Sequence, residues 1–206
     1  MLGAGGELMP FPFSDPVASI FFWVSCGAWS LLEWGLILRD WRAGVKASTP
    51  ADRGSLRLTV TTVCVGAFLA FGAALWLPAL RITASGWALL VIGLTLVWLG
   101  MGLRLWAVLT LGRSFTRVVM VQSGQQVVSS GPYRAVRHPA YTGILTTMLG
   151  IGLALNNRAS VVALVLIPLM GFAWRIHVEE NALVQNLGED YTAYAQRTRR
   201  LIPGLW

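Results

Sequence analysis

Five apolar runs limit what this chain can fold into: Val17–Leu38, Leu58–Leu80, Trp87–Leu111, Tyr141–Leu155 and Ala159–Trp174. A helix rises about 1.5 Å per residue, so each of the first three is long enough to cross a hydrocarbon core of about 30 Å. The last two are shorter, and Asn156, Asn157 and Arg158 separate them as a tight polar turn. That spacing predicts a helical hairpin whose ends continue into polar helix, with a re-entrant pair as the less favoured arrangement. Composition agrees: 55% of the residues are hydrophobic and 12% are charged. The charged fraction is about half that of an ordinary soluble domain. The reading is therefore an all-α, multispan integral membrane protein with about five transmembrane helices. It is read as a single membrane domain over residues 1–206, with three N-terminal spans in 1–111 and a polar loop, the hairpin and a polar C-terminal helix in 112–206.

Residues 1–15 lack a basic n-region, and the run that follows is too long for a signal-peptide core, so a short pre-membrane segment is expected. Cys26 and Cys64 both fall in apolar runs. They predict buried thiols rather than a disulfide framework or a zinc site, and no metal is expected.

Basic residues give the orientation. The first loop carries Arg39, Arg42, Lys46, Arg53 and Arg57. The end of the third run and the loop after it carry Arg104, Arg113, Arg117, Arg134 and Arg137, and the tail carries Arg175, Arg197, Arg199 and Arg200. The other side keeps only Arg81 and Arg158, with the acidic Glu7 and Asp15. The positive-inside rule then places the N-terminus outside and the C-terminus in the cytoplasm. A net charge of +7 could suggest nucleic acid. Its clustering beside spans assigns it instead to topology and to contact with anionic membrane lipid, with no nucleic-acid partner. Glu33 and Arg104 lie near the cytoplasmic ends of their runs, where they could pair or Arg104 could snorkel to headgroups. Gly93, Gly100 and Gly102 predict close helix packing, with a tunnel wall as the alternative.

The longest polar segment, Gly112–Pro139, ends in SSGPYRAVRHPAYTG, Ser129 to Gly143. Gly131-Pro132 signals a turn, and His138-Pro139 starts a new helix at or just after the proline. Spacing alone supports equally a functional loop and a turn that anchors to the membrane surface. The tail from Trp174 to Tyr194 is polar with helical apolar spacing at Ile176, Leu183 and Leu187. Arg175 and Glu179 are four apart and share a face one turn beyond the last apolar run. Charges that close to membrane depth are costly and tend to mark a site. Glu180 points about 100° away and is free to meet a basic loop residue.

GPYRAVRHPAYTG, then a membrane hairpin, then EENALVQNLGEDYTAYAQRTRRLIPGLW, resembles the isoprenylcysteine carboxyl methyltransferase family. The likeness covers Ser114 to Trp206; the first three runs match only as apolar helices. It implies a membrane enzyme that uses S-adenosylmethionine and releases S-adenosylhomocysteine, with the cofactor pocket at the cytoplasmic face between the polar loop and the C-terminal helix. Carried over by position, it implies cofactor contacts at Gln125, Val127, Val128, Tyr133, His138, Pro139, Ala140, Tyr141 and Glu179, and a substrate-facing catalytic Arg175. Gln125 stands where family members often carry histidine.

Such chemistry suits these residue types. A sulfonium methyl is already activated, so the protein mainly positions two partners. A carboxylate acceptor is ionised at neutral pH and needs no base, whereas an amine or hydroxyl would. Glu179 suits the cofactor ammonium, and tyrosine rings suit a sulfonium or an adenine. His138 either donates to the cofactor carboxylate or fixes the loop. Arg137 either neutralises an anion or anchors to lipid phosphate. Arg175 is expected to grip an acceptor carboxylate with two hydrogen bonds. The expected acceptor is small and lipophilic, reached through membrane lipid, in a bacterial inner membrane rather than the endoplasmic reticulum. Three other readings stay open: a phospholipid amine N-methyltransferase, an NADPH-dependent sterol-type reductase and a non-catalytic membrane protein. Neither the acceptor's identity nor the oligomeric state is set by the sequence.

Overall fold

The computed structural model describes residues 9–45, 49–120, 124 and 126–204. Gln125, Lys46 and Glu7 lie outside them. Among the described residues the regular elements are all helical: α1 (Phe11–Ser14), α2 (Pro16–Arg42), α3 (Ser55–Trp76), α4 (Gly86–Leu111), α5 (Pro139–Ala154) and α6 (Arg158–Arg197). Four of these, α2, α3, α4 and α6, are long and apolar enough to cross a membrane, and α5 is a shorter apolar helix. The chain is a multispan integral membrane protein; each apolar run forms one helix, although the second run, Leu58–Leu80, outlasts α3 and ends in the short turn Pro78–Leu80.

The sequence starts these helices where it must. The Asp15 side chain accepts from the backbone N–H groups of Val17 and Ala18 ahead of Pro16, satisfying donors that a helix end leaves open. Pro139 opens α5, as its missing N–H favours. The hairpin between α5 and α6 turns at Asn156, whose φ is 54°. Asn157 is fully buried and caps α6, and its amide donates to the carbonyls of Ala73 and Leu77. The hairpin tip is thereby pinned to the end of α3.

Small residues set the close contacts. Gly93 and Gly100 of α4 face Gly150 and Gly143 of α5, in antiparallel order seven residues apart. A Cβ at Gly100 would stand 2.5 Å from the Gly143 carbonyl oxygen, so the two backbones touch. Gly102 meets nothing within 4 Å and belongs to no such contact. On the other side, α3 packs along α6, where Ser160 donates to the Ala70 carbonyl (2.6 Å). Phe22, Leu90, Leu155, Leu164 and Phe172 fill the core between the helices. Cys26 and Cys64 are both free thiols, but neither is fully buried: Cys26 is half-buried, and Cys64, which lines the cavity described below, is exposed.

Two features shape the site. The polar tail continues the last span as one helix, α6, until Gly188, whose φ of 56° and ψ of −126° break it. Only glycine enters that region cheaply. Beyond α6, the tail runs beside the polar loop: Arg137 and His138 donate their backbone N–H groups to the Arg199 and Arg200 carbonyls (2.7 and 3.0 Å). Thr142 donates its hydroxyl to the Leu201 carbonyl (2.8 Å).

Candidate functional site

A cavity of about 430 Å³ opens where the polar loop, α5 and the polar half of α6 meet. Its walls continue between α2 and α3, past Trp29, Ile37, Val60 and Val63. One end is thus charged and aromatic and the other apolar.

Most of the residues singled out in the sequence come together here. Val127, Val128, Tyr133, His138 and Ala140 line the cavity, as do Tyr141, Arg175 and Glu179. Pro139 is buried and acts as the first residue of α5 rather than as cavity wall. Gln125 lies outside the described residues, but its neighbour Gln126 lines the cavity.

Arg175 and Glu179 share a face of α6 but do not pair directly. Tyr141 stands between them: Arg175 Nε donates to the Tyr141 hydroxyl oxygen (2.7 Å), and that hydroxyl donates to Glu179 Oε2 (2.7 Å). The remaining Arg175 donors are largely committed. Nη1 donates to Asp52 Oδ1 (3.1 Å) and Ser55 Oγ (3.0 Å), and Nη2 donates to the Arg117 carbonyl. A guanidinium has five N–H groups, so one remains for a ligand. Four of the five donors are thus committed within the protein. Glu179 lines the cavity and keeps 31% of its side-chain surface exposed.

His138 is 4% exposed and stacks on Tyr141, the ring centroids 5.5 Å apart. Its Nε2 lies 3.4 Å from Glu180 and its Nδ1 3.8 Å from Glu179. Glu180 meets a basic loop residue, as its place on the helix suggested: Arg137 Nε donates to it at 2.7 Å, and Arg200 reaches its other oxygen at 2.8 Å. Arg137 also donates to the carbonyls of Ala195 and Thr198, so it is built into the tail rather than turned to lipid. Burial opposes charge on Glu180, but hydrogen bonds from His138, Arg200 and Arg137 outweigh it and hold the carboxyl below the usual carboxylate range.

Several groups come from outside the motif. Asp52 is 1% exposed and lies in the short turn Pro50–Asp52 between α2 and α3. It accepts from Arg175, from Ser55, and from the backbone N–H groups of Val119 (3.1 Å) and Leu56 (3.2 Å). Burial raises its pKa, yet those N–H groups and the Arg175 charge leave it below the ordinary value. Asp40 likewise reaches across to the backbone N–H of Arg117 (3.0 Å). The signal for both was visible: they are the acidic residues of an otherwise basic loop. Glu33 and Arg104 pair rather than separate, Arg104 being 4% exposed with Nε and Nη2 on the two Glu33 oxygens. Both line the cavity. Tyr191 and Tyr194 line it from beyond the Gly188 break. Tyr194 donates to the Tyr133 carbonyl, whereas the buried Tyr191 hydroxyl has no hydrogen-bond partner among the described residues.

A buried hydroxyl without a partner is costly, so Tyr191 brings an unsatisfied polar group to the cavity wall. The cavity thus presents an open carboxylate at Glu179 beside the aromatic rings of Tyr133, Tyr141 and Tyr191.

Comparison with known proteins places this geometry. The sequence model of the isoprenylcysteine carboxyl methyltransferase (ICMT) family matches residues 91–185. Protein-S-isoprenylcysteine O-methyltransferase B of Arabidopsis thaliana is 37% identical over 119 residues, 57% of this chain and 60% of that one. The protein-S-isoprenylcysteine O-methyltransferase of Saccharomyces cerevisiae is 34% identical over 115 residues, 55% of this chain and 48% of that one. The chain thus spans about 60% of the length of the first of these relatives. A solved structure of the eukaryotic intramembrane Ras methyltransferase superposes with a TM-score of 0.62 at 26% identity, covering 98% of this chain and 69% of that one. The likeness of fold therefore takes in the first three spans, which the sequence matched only as apolar helices.

Proposed function

We propose that this chain, whose residues 91–185 match the sequence model of the isoprenylcysteine carboxyl methyltransferase family, is an S-adenosylmethionine-dependent methyltransferase. Its acceptor is the carboxylate of a small lipophilic, isoprenylcysteine-like molecule. The observation that carries the reading is one cavity with two characters. The polar end presents Glu179, Tyr133 and Tyr141, and the apolar end lies between α2 and α3.

The residues fit each part of the task. Glu179 holds the cofactor ammonium, and Tyr191 offers its unpaired hydroxyl. Val127, Val128 and Ala140 shape the wall for the adenosine, with Gln125 assigned to it by position and Pro139 setting the start of α5 behind it. His138, held between Glu179 and Glu180, orients Glu179. When bound, S-adenosylmethionine supplies a methyl group activated by its sulfonium and leaves as S-adenosylhomocysteine. Arg175 offers its remaining N–H to one oxygen of the acceptor carboxylate and leaves the other oxygen free to attack. No base is needed, because a carboxylate is ionised at neutral pH. Positioning in a dry site then carries most of the catalysis.

We read the chain as a single membrane domain over residues 1–206, with the site at the cytoplasmic face and the N-terminus outside. The one-sided distribution of arginines supports that orientation. The named relatives are eukaryotic, which points to the endoplasmic reticulum, whereas the sequence reading favoured a bacterial inner membrane. The same relatives are O-methyltransferases by name, so the amine N-methyltransferase, the NADPH-dependent reductase and the non-catalytic protein are not favoured. The test is calorimetric binding of S-adenosylmethionine and of NADPH to the purified protein in detergent, wild type beside Glu179→Ala. Micromolar binding of S-adenosylmethionine that Glu179→Ala abolishes supports the reading. Binding of NADPH alone overturns it.

A further inference from the structure

Asp52 lies outside the segment matched by the family and outside every motif of the polar loop and tail. It is nevertheless the only carboxylate that Arg175 touches directly among the described residues: Asp52 Oδ1 is 3.1 Å from Arg175 Nη1. Both groups are buried, at 1% and 4% exposure, so little water screens the pair. A buried guanidinium without a partner is strongly disfavoured and turns to the nearest anion. That anion is Glu179, one helical turn along α6 and already joined to Arg175 through the Tyr141 hydroxyl. Two carboxylates thus compete for one arginine, and the observed geometry resolves the competition in favour of Asp52.

We propose that Asp52 is the positioning residue of the site: it neutralises and orients Arg175 and thereby keeps Glu179 free for the cationic part of the ligand. The inference rests on the methyltransferase reading above. The surroundings of Asp52 suit the role. Val119 and Leu56 clamp its oxygens through backbone N–H groups, and Ser55 donates to it while also accepting from Arg175. Thr49 donates its hydroxyl to the Val119 carbonyl at 2.7 Å, so the turn that carries Asp52 is fastened to the loop that forms the cavity wall. The Arg117 carbonyl of the same loop fixes Arg175 Nη2. The first loop of the chain thus balances the charge of a site whose motif residues lie more than seventy positions away in sequence.

The test is a double-mutant cycle read by binding of S-adenosylhomocysteine to purified protein in detergent, with Asp52→Asn, Arg175→Gln and the double variant beside wild type. With Arg175 present, Asp52→Asn is expected to weaken binding about tenfold or more, as Arg175 swings onto Glu179. In the double variant, measured against Arg175→Gln alone, the same change is expected to cost less than about threefold. A structural role for Asp52 would give the same loss with or without Arg175, and that result overturns the proposal, as does wild-type binding by Asp52→Asn. Should Asp52→Asn alone fail to fold, a folded double variant that binds like Arg175→Gln supports the proposal, and an unfolded one overturns it. Absence of binding by wild type would instead sink the methyltransferase reading and take this inference with it.

Discussion

At the scale of the residue, Tyr141 is the bridge on which the site depends. Its hydroxyl gives its proton to Glu179 and takes an N–H from Arg175. Tyr141→Phe removes that bridge with almost no change of volume. It is expected to lower kcat/KM by roughly ten- to a hundredfold while leaving the melting temperature nearly unchanged, a split that steady-state kinetics beside a thermal melt will show. The buried carboxylates predict a pH dependence of stability. Asp52 and Glu180 are both held below their ordinary pKa in the folded protein. A depressed folded pKa adds stability that is present above the unfolded value of about 4 and is lost as pH falls through the folded value. The melting temperature should therefore hold from pH 7 to about 5 and fall below about 4, and Glu180→Gln should flatten that fall. The motif residues could be read from sequence because their spacing carries the pattern. Asp52 could not be assigned a partner, because 123 residues separate it from Arg175. Only the fold brings the two together.

At the scale of the element, packing explains what composition left open. The glycines of the third run could mean packing or a tunnel wall. Gly93 and Gly100 prove to be backbone contacts with α5, and Gly102 is neither. Gly100→Val drives a side chain into the Gly143 carbonyl and Thr147, and is expected to cost about 1–3 kcal/mol or more. Gly102→Ala meets open space and is expected to be neutral or to stabilise by up to about 1 kcal/mol through helix propensity. Parallel thermal melts in one detergent check the contrast. The hairpin was legible from the polar turn at 156–158, but its anchoring by Asn157 to the end of α3 was not, since that needs the position of another helix. The break at Gly188 was equally hidden, for a lone glycine in a polar helix has no fixed meaning. It sets Tyr191 and Tyr194 on the cavity wall. Gly188→Ala is expected to cost about 1–3 kcal/mol of backbone strain and to weaken cofactor binding with it. Calorimetry on the folded variant tests the second part.

At the scale of the whole molecule, two halves of the chain divide the work. The spans are apolar enough to be read directly, and the excess of arginine on one side supports the proposed direction. The site is built on that side from the polar loop, the start of α5 and the extension of α6, and is closed by the first loop through Asp40, Thr49 and Asp52. The apolar arm of the cavity between α2 and α3 then gives a lipophilic acceptor a place beside a charged head. On the proposed function, this division favours an amphiphilic carboxylate over a soluble one.

The most direct measurement is methyl transfer itself. Purified protein in detergent is given S-adenosylmethionine labelled in its methyl group and an N-acetylated S-farnesylcysteine, with Glu179→Ala alongside. The expected result is a base-labile methyl ester on the acceptor, formed by wild type and lost in Glu179→Ala. Binding of S-adenosylmethionine without ester formation, with the label transferred instead to phosphatidylethanolamine, would contradict the carboxyl methyltransferase reading.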